Sequence, residues 1–269
     1  GGRTPSLFVD TSGMSFWGVD STRLPRLLDD ENPDAVFLYG YNRLLQWRAR
    51  RWALRRKKKI LYFSDSSLTG IRQNGVVWFK NMIKSAVLKH YFRSVHCFFS
   101  VGDRNEQYLR HFGVEFEKIK RCPLSVDIKR LEVGEPSDRE DIRKRVRESH
   151  GIHDGEFVVL FCGKLMPIKR PQDLLTATAK LRCAGWKVKA LFAGTGPLLS
   201  ELTEINQAAS VQEQAVFLGF LNQTEIKRAY YASDALVVCS ELDNHPLVVT
   251  EAAACGLPII CSDQVGCVG

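Results

Sequence analysis

Paired cysteines are the first thing this chain lacks. Its eight cysteines (Cys97, Cys122, Cys162, Cys183, Cys239, Cys255, Cys261 and Cys267) include no C-x-x-C pair, and several sit inside apolar strand-like runs where a thiol behaves as a small hydrophobe. That usage favours a reducing cytosol. Cys255, Cys261 and Cys267 recur every six residues, but no histidine or paired-cysteine pattern accompanies them. They read as structural thiols, and no metal site is expected. Long apolar runs are missing too: none approaches the roughly 18 residues of a membrane span. No charged-then-apolar signal segment opens the chain, so a soluble or peripheral protein is expected. Internal repeats and low-complexity tracts are also lacking.

Basic residues are scarce in the second half. Residues 1–150 hold 29 Lys/Arg against 18 Asp/Glu, and residues 151–269 hold 9 against 12, a net +11 against −3. The basic half is either suited to an anionic partner, such as membrane lipid, nucleic acid or a phosphorylated acceptor, or is simply a solubilising surface. With 269 residues and 45% hydrophobic content, the chain can build one large or two ordinary cores.

What is present is an alternation of short apolar runs and helical stretches. From Asp154 onward, Phe157 to Gly163, Val188 to Gly194, Val216 to Gly219, Ala235 to Ser240 and Ile259 to Cys261 read as strands. Pro171 to Cys183, Pro197 to Ala209, Gln223 to Ala232 and Leu247 to Cys255 read as the helices between them. Such β-α units form a parallel sheet with helices on both faces, joined by right-handed connections. The N-terminal half is less regular, with candidate strands at Ala35 to Tyr39, Ile60 to Phe63 and Cys97 to Val101. Two Rossmann-like α/β domains are expected, residues 1–135 and 136–269. Near the boundary at Pro136 a linker should lead into a solvated helix capped by Ser137 or Asp138. No initiator Met, no Gly-rich opening turn and a stop just after a strand give the expectation that the chain is a piece of a longer protein.

Four segments carry candidate chemistry. After the first C-terminal strand, Gly163, Lys164 and Lys169 precede a new helix, placing two lysines five positions apart. Flexible ammonium groups beside free helix N–H donors suit a diphosphate, and ligands of such sheets bind beyond the carboxyl ends of the strands. Gly194 and Gly196 complete only two glycines of the dinucleotide fingerprint, so they read either as a phosphate turn or as a tight turn closed by Pro197. At the next strand end, backbone groups around Phe217 either meet a flat base or belong to ordinary core. Most informative is the run from Ser240 to Asp263, where Asp243 and Glu251 lie eight apart around a loop-to-helix junction that begins near Pro246 and Leu247. Carboxylates that grip hydroxyls beside a positive helix N-terminus suit a sugar nucleotide.

These segments together resemble the nucleotide-sugar-binding domain of family 4 retaining glycosyltransferases, over nearly all of Phe157 to Asp263. The family's Gly-Arg-Leu followed by Lys-Gly corresponds to Gly163-Lys164-Leu165 and Lys169-Arg170. Its two glutamates, eight apart before Ala-x-Ala-x-Gly-x-Pro, correspond to Asp243 and Glu251 ahead of Ala252 to Pro258, with His245-Pro246 in place of Phe-Gly. Cys122-Pro123 through Asp127 stands loosely where the family has Pro-Asn-Gly-Val-Asp. Asp65 follows a strand at about the place of a histidine near the transferred sugar, and its other reading is a helix cap or turn.

The resemblance implies a GT-B fold and a metal-independent, retaining transferase with no cofactor beyond its nucleotide-diphosphate sugar. The expected acceptor is a glycan or lipid-linked molecule, in polysaccharide assembly at the inner face of a membrane. In that reading Lys164 and Lys169 stabilise the departing diphosphate, Glu251 holds the ribose and Asp243 orients the sugar. Gly163, Gly194, Gly196, Phe217 and Leu247 line the nucleotide.

Two rivals remain: a sugar-nucleotide epimerase on the same plan, and a basic nucleic-acid-binding module built on Arg48 to Lys59. No recognisable RNA- or DNA-reading motif supports the second, so no nucleic-acid partner is expected. Phe79 to Arg93, with apolar Phe79, Met82, Ile83, Ala86 and Val87 edged by Lys80, Lys84, Lys89 and Arg93, suits an anionic bilayer or a core-facing helix with solvated edges.

Overall fold

Runs rich in Val, Ile, Phe and Tyr, too short for helices and bounded by turn residues, become parallel strands in both halves of the chain. The computed structural model describes residues 20–68, 75–208 and 214–266, residues 75–81 by backbone alone. Contacts divide the chain into two compact units, residues 1–123 and 124–269.

In the first unit β1 (Ala35–Tyr39), β2 (Lys59–Ser64), β3 (Cys97–Ser100) and β4 (Ile119–Arg121) pair in that order, every pair parallel. The connecting segments carry α2 (Leu44–Arg55), α3 (Gly75–Phe92) and α4 (Asp103–His111), and α1 (Leu24–Glu31) precedes β1. The core is aromatic: Tyr62 meets Tyr91, Phe92 and Phe98 edge-on at 5.1 to 6.3 Å, the geometry that ring quadrupoles favour. β4 escapes a pattern search because only Ile119 of its three residues is buried.

The second unit runs α5 (Pro136–Ser149), β5 (Phe157–Cys162), α6 (Pro171–Cys183), β6 (Val188–Ala193), α7 (Leu199–Ala208), β7 (Ala215–Gly219), α8 (Ile226–Ala232), β8 (Ala235–Val238), α9 (Leu247–Ala254) and β9 (Ile259–Cys261). Its parallel sheet has the order β7-β6-β5-β8-β9. Successive residues of β5 serve opposite faces: Val158 and Leu160 enter one apolar cluster, Val159 and Phe161 the other. Period-two burial on both sides makes the strand read as an unbroken apolar run and requires helices on each face. From β5 the chain builds outward through β6 and β7, then returns to place β8 on the other side of β5. The sheet order therefore reverses at the β5–β8 pair, the kind of crevice where open α/β sheets hold ligands.

The unit boundary lies twelve residues ahead of the expected Pro136. Leu131 is 1% exposed within the second core, so the segment before α5 packs there and is no free linker. α5 is the solvated helix expected, ten of its fourteen residues exposed and only Arg147 buried. Glu135 is its N-cap and Asp138 its reciprocal partner, Asp138 Oδ2 accepting from Glu135 N at 3.0 Å, in place of a Ser137 or Asp138 cap. Further along, Arg143 and Arg147 donate to the two oxygens of Asp234 at 2.5 and 2.6 Å, and Val158 N donates to the same carboxylate at 2.7 Å. Among the described residues no helix is long and apolar enough to cross a membrane.

Candidate active site

The carboxyl ends of β5, β6 and β8 converge because their loops are laced together by main-chain bonds. Gly163 N donates to Ala193 O at 2.9 Å, Leu165 N to Thr195 O at 2.9 Å and Leu198 N to Leu165 O at 3.0 Å. From the other side Glu241 N donates to Ile168 O at 2.9 Å. Gly194 and Gly196 are needed for this closeness: a Cβ at Gly194, where φ is +149°, would lie 1.9 Å from Gly163 O, and one at Gly196 would lie 2.3 Å from Leu165 O. Their role here is backbone approach between two ligand-facing loops.

Lys169 and Asp243 meet at the β5–β8 crevice, Lys169 Nζ donating to Asp243 Oδ2 in a half-buried ion pair. Two residues 74 positions apart, read separately in the sequence, thus form one charged unit. Lys164 is exposed on the same loop. Arg170, at the position where the resemblance has glycine, takes the left-handed conformation at φ 50° and caps the start of α6. Its guanidinium reaches Asp173 at 2.6 and 3.0 Å.

α9 begins at Leu247 after Pro246, with no side-chain cap on its N-terminus. Val249 N already donates to Pro246 O at 3.1 Å, which leaves the N–H groups of Leu247 and Val248 for an anion at the end of β8. One turn on, Glu251 is 9% exposed and held from two sides. Tyr230 OH donates to Oε2 at 2.7 Å, and Arg130 donates to Oε1. Burial, then the neighbouring Cys162 and Glu251, raise the Tyr230 phenol far above its ordinary range, so it acts only as a neutral donor. Cys162 lies 3.7 Å from the same hydroxyl. Burial pushes its thiol up to about 11, too high for a reactive thiolate at neutral pH.

The structure thus brings Gly163, Lys164, Lys169, Gly194, Gly196, Asp243, Leu247 and Glu251 to one end of the second sheet. Phe217 differs: its ring stacks on Phe192 at 5.0 Å and 17° inside the sheet's packing, which leaves its backbone for any ligand. Asp65 belongs to the first unit, exposed just beyond the end of β2. Arg130 is the participant the sequence reading missed, because its segment was assigned to the other domain. Among the described residues no three His, Cys, Asp or Glu side chains gather as a metal would require.

Known proteins share parts of this sequence and its fold. The sequence profile described as glycosyl transferases group 1 matches residues 142–269. The chain is 30% identical over 152 residues to an alpha-monoglucosyldiacylglycerol synthase of Streptococcus pneumoniae, covering 56% of this chain and 34% of that protein. It is 35% identical over 162 residues to a D-inositol 3-phosphate glycosyltransferase of Rhodococcus erythropolis, covering 58% and 35%. The chain thus spans about a third of the length of these relatives. Among solved structures, Anabaena Alr3699/HepE in complex with UDP and glucose superposes with a TM-score of 0.70 at 18% identity, over 91% of this chain and 63% of that one. WaaG, a glycosyltransferase involved in lipopolysaccharide biosynthesis, gives 0.62 at 13% identity, over 91% and 77%. At these identities the likeness shows the fold, the paired Rossmann-like units of GT-B glycosyltransferases.

Proposed function

We propose that the protein, whose residues 142–269 match the family model of glycosyl transferases group 1, moves a sugar from a nucleotide-diphosphate donor to a glycan or lipid-linked acceptor, retaining anomeric configuration and using no metal ion. The observation that carries the proposal is the Lys169–Asp243 pair at the reversal point of the second sheet, a cation and a hydroxyl-gripping acid held where an α/β sheet presents its ligand.

In this reading the Lys169 ammonium, with Lys164 and the uncapped start of α9, receives the diphosphate and offsets the charge that grows as the sugar departs. Asp243 turns to the sugar hydroxyls, and Glu251 accepts from the ribose. Asp65 is proposed as a contact for the sugar or acceptor, on its place beyond the end of β2. The leaving phosphate oxygen takes the acceptor proton, so no separate protein base is required.

A thermal-shift series with UDP-, GDP- and ADP-sugars tests donor binding. At a hundred times Kd, binding to the native state contributes about 2.7 kcal/mol, or a rise of about 5 °C or more in Tm. If no nucleotide sugar raises Tm, the proposal fails. If the donor is converted with no acceptor present, the chemistry is epimerisation instead.

The exposed face of α3 supports a peripheral membrane location. Met82, Ile83 and Val87 are 47, 50 and 43% exposed while Leu88, Tyr91 and Phe92 fill the core. Lys84, Lys89 and Arg93 are exposed around them. Phe79 and Lys80, which the sequence placed on the same face, have side chains outside the described residues. An apolar stripe edged by cations fits an anionic bilayer. The protein should co-sediment with phosphatidylserine vesicles and not with neutral ones, and Met82→Glu with Val87→Glu should lower the bound fraction by about tenfold. Equal binding to both vesicle types, or none, counts against this location.

A further inference from the structure

Glu251 sits in a setting that its proposed ribose-binding role alone does not explain. A carboxylate nine-tenths buried has lost most of its hydration, and such a charge requires a compensating partner. Tyr230 supplies a hydrogen bond but no charge. Arg130 supplies both, from the 3-10 turn Ile128–Leu131, 121 positions away in sequence. Among the described residues it is the only cation in an ion pair with Glu251. The guanidinium is itself enclosed, 18% exposed, and its other terminal nitrogen lies 3.4 Å from Gln223 O. The turn that carries it is fixed by the neighbouring Leu131, buried in the second core, whose carbonyl accepts from Tyr231 OH at 2.8 Å. Arg130 is therefore held as firmly as the acid it meets.

A carboxylate has two oxygens and about four acceptor positions. Arg130 occupies one position on Oε1 and Tyr230 one on Oε2, which fixes the plane of the group and leaves one acceptor position on each oxygen. Two free positions at a fixed spacing match the two adjacent hydroxyls of a ribose. We infer that Arg130 is a positioning residue for donor recognition: it aims the Glu251 carboxylate so that its remaining lone pairs meet the ribose diol. The inference rests on the ribose role of Glu251 in the proposed function.

Calorimetric titration of the full chain with UDP and with inorganic pyrophosphate, in metal-free buffer, separates the possibilities. The wild type should bind UDP more tightly than pyrophosphate, and Glu251→Gln should narrow that gap. Arg130→Ala should weaken UDP about tenfold, the size of one lost charge-assisted contact, while pyrophosphate affinity stays within about twofold. In the Glu251→Gln background Arg130→Ala should weaken UDP little further, since two residues acting as one unit are not additive. Arg130→Lys, which keeps the charge and loses the fork, should fall between and carries the test if the alanine variant does not fold.

Three results are adverse. A wild type with no preference for UDP over pyrophosphate removes the ribose role of Glu251, and the inference with it. A preference that Arg130→Ala leaves undiminished overturns the inference alone. Equal losses for UDP and pyrophosphate also overturn it, because Arg130 then acts on the phosphates or on the fold.

Discussion

Lys169→Ala should lower turnover of the sugar nucleotide by about a hundredfold or more, close to 3 kcal/mol of lost barrier stabilisation. Two effects act together. The first, on the proposed function, is the loss of a cation at the oxygen where charge accumulates as the sugar leaves. The second follows from the pairing of Lys169 with Asp243. Without the ammonium, the 16%-exposed carboxylate of Asp243 is left uncompensated beside an incoming diphosphate, and like charges in a partly desolvated crevice repel strongly. Lys169→Ala should therefore be worse than Lys169→Ala combined with Asp243→Asn in donor affinity, even though the double variant lacks two functional groups. Lys169→Arg should retain a fraction of activity, since it keeps charge and changes geometry. Initial rates of nucleotide release, with and without acceptor, provide the measurement. A Lys169→Ala protein that turns over within about threefold of wild type, far inside that 3 kcal/mol, contradicts the role.

The reach of the sequence can be judged from particular residues. The span Pro171–Cys183 of α6 is legible to the residue, because proline starts the helix and Gly185 follows its end. β5 is legible because both its faces are buried and its apolar run is unbroken. The meeting of Lys169 with Asp243 is not, since it depends on β8 returning beside β5, a pairing that no local pattern records. Arg130 shows the same limit: a basic residue near a domain boundary carries no sign of the carboxylate 121 positions on.

The basic run Arg48 to Lys59 misleads in the opposite direction, because charge in a sequence does not reveal its partners. Arg50 is 8% exposed, stacked 4.8 Å over Tyr91 and donating to Ser94 Oγ at 2.7 Å. Arg48 pairs with Asp20, and Arg56 with Asp29. Three of the eight cations in that run are thus already engaged inside the first unit, while Arg51, Arg55, Lys57 and Lys59 stay exposed. Arg170 is legible only in part: its departure from glycine is visible, but not that it adopts the left-handed conformation anyway. That strain, on the order of 1 kcal/mol, is offset by the fork to Asp173.

The largest loss of stability is expected away from the ligand, at Asp234. Its carboxylate takes Arg143, Arg147 and the Val158 amide at once, so it ties α5 to the start of β5 beside its own strand β8. Arg147 is 9% exposed and also donates to Ala232 O at 2.9 Å and Glu156 O at 3.1 Å. Asp234→Ala leaves this guanidinium with two carbonyls but without its carboxylate, and the Val158 N–H without this acceptor, which should cost about 3 kcal/mol or more in unfolding free energy.

The same group sets an acid limit. Burial alone would raise the Asp234 pKa, but the Val158 amide and the two arginines outweigh it and hold the carboxyl below its ordinary range. Glu156 is held down in the same way, its burial outweighed by the His153 amide, Lys189 and Arg182. For a carboxyl depressed in the folded state, the unfolded chain binds the proton first as pH falls. The stability contributed is therefore fully present above the ordinary carboxylate range and is lost as pH drops through it toward the folded values. Asp234→Asn, which keeps the shape and one acceptor, should lower Tm at neutral pH and flatten its fall between about pH 5 and pH 2. Thermal unfolding followed from pH 7 to about pH 2 measures both. An Asp234→Asn protein with wild-type stability at pH 7 and an unchanged acid slope means that the arginines of α5 find water as good a partner as this carboxylate.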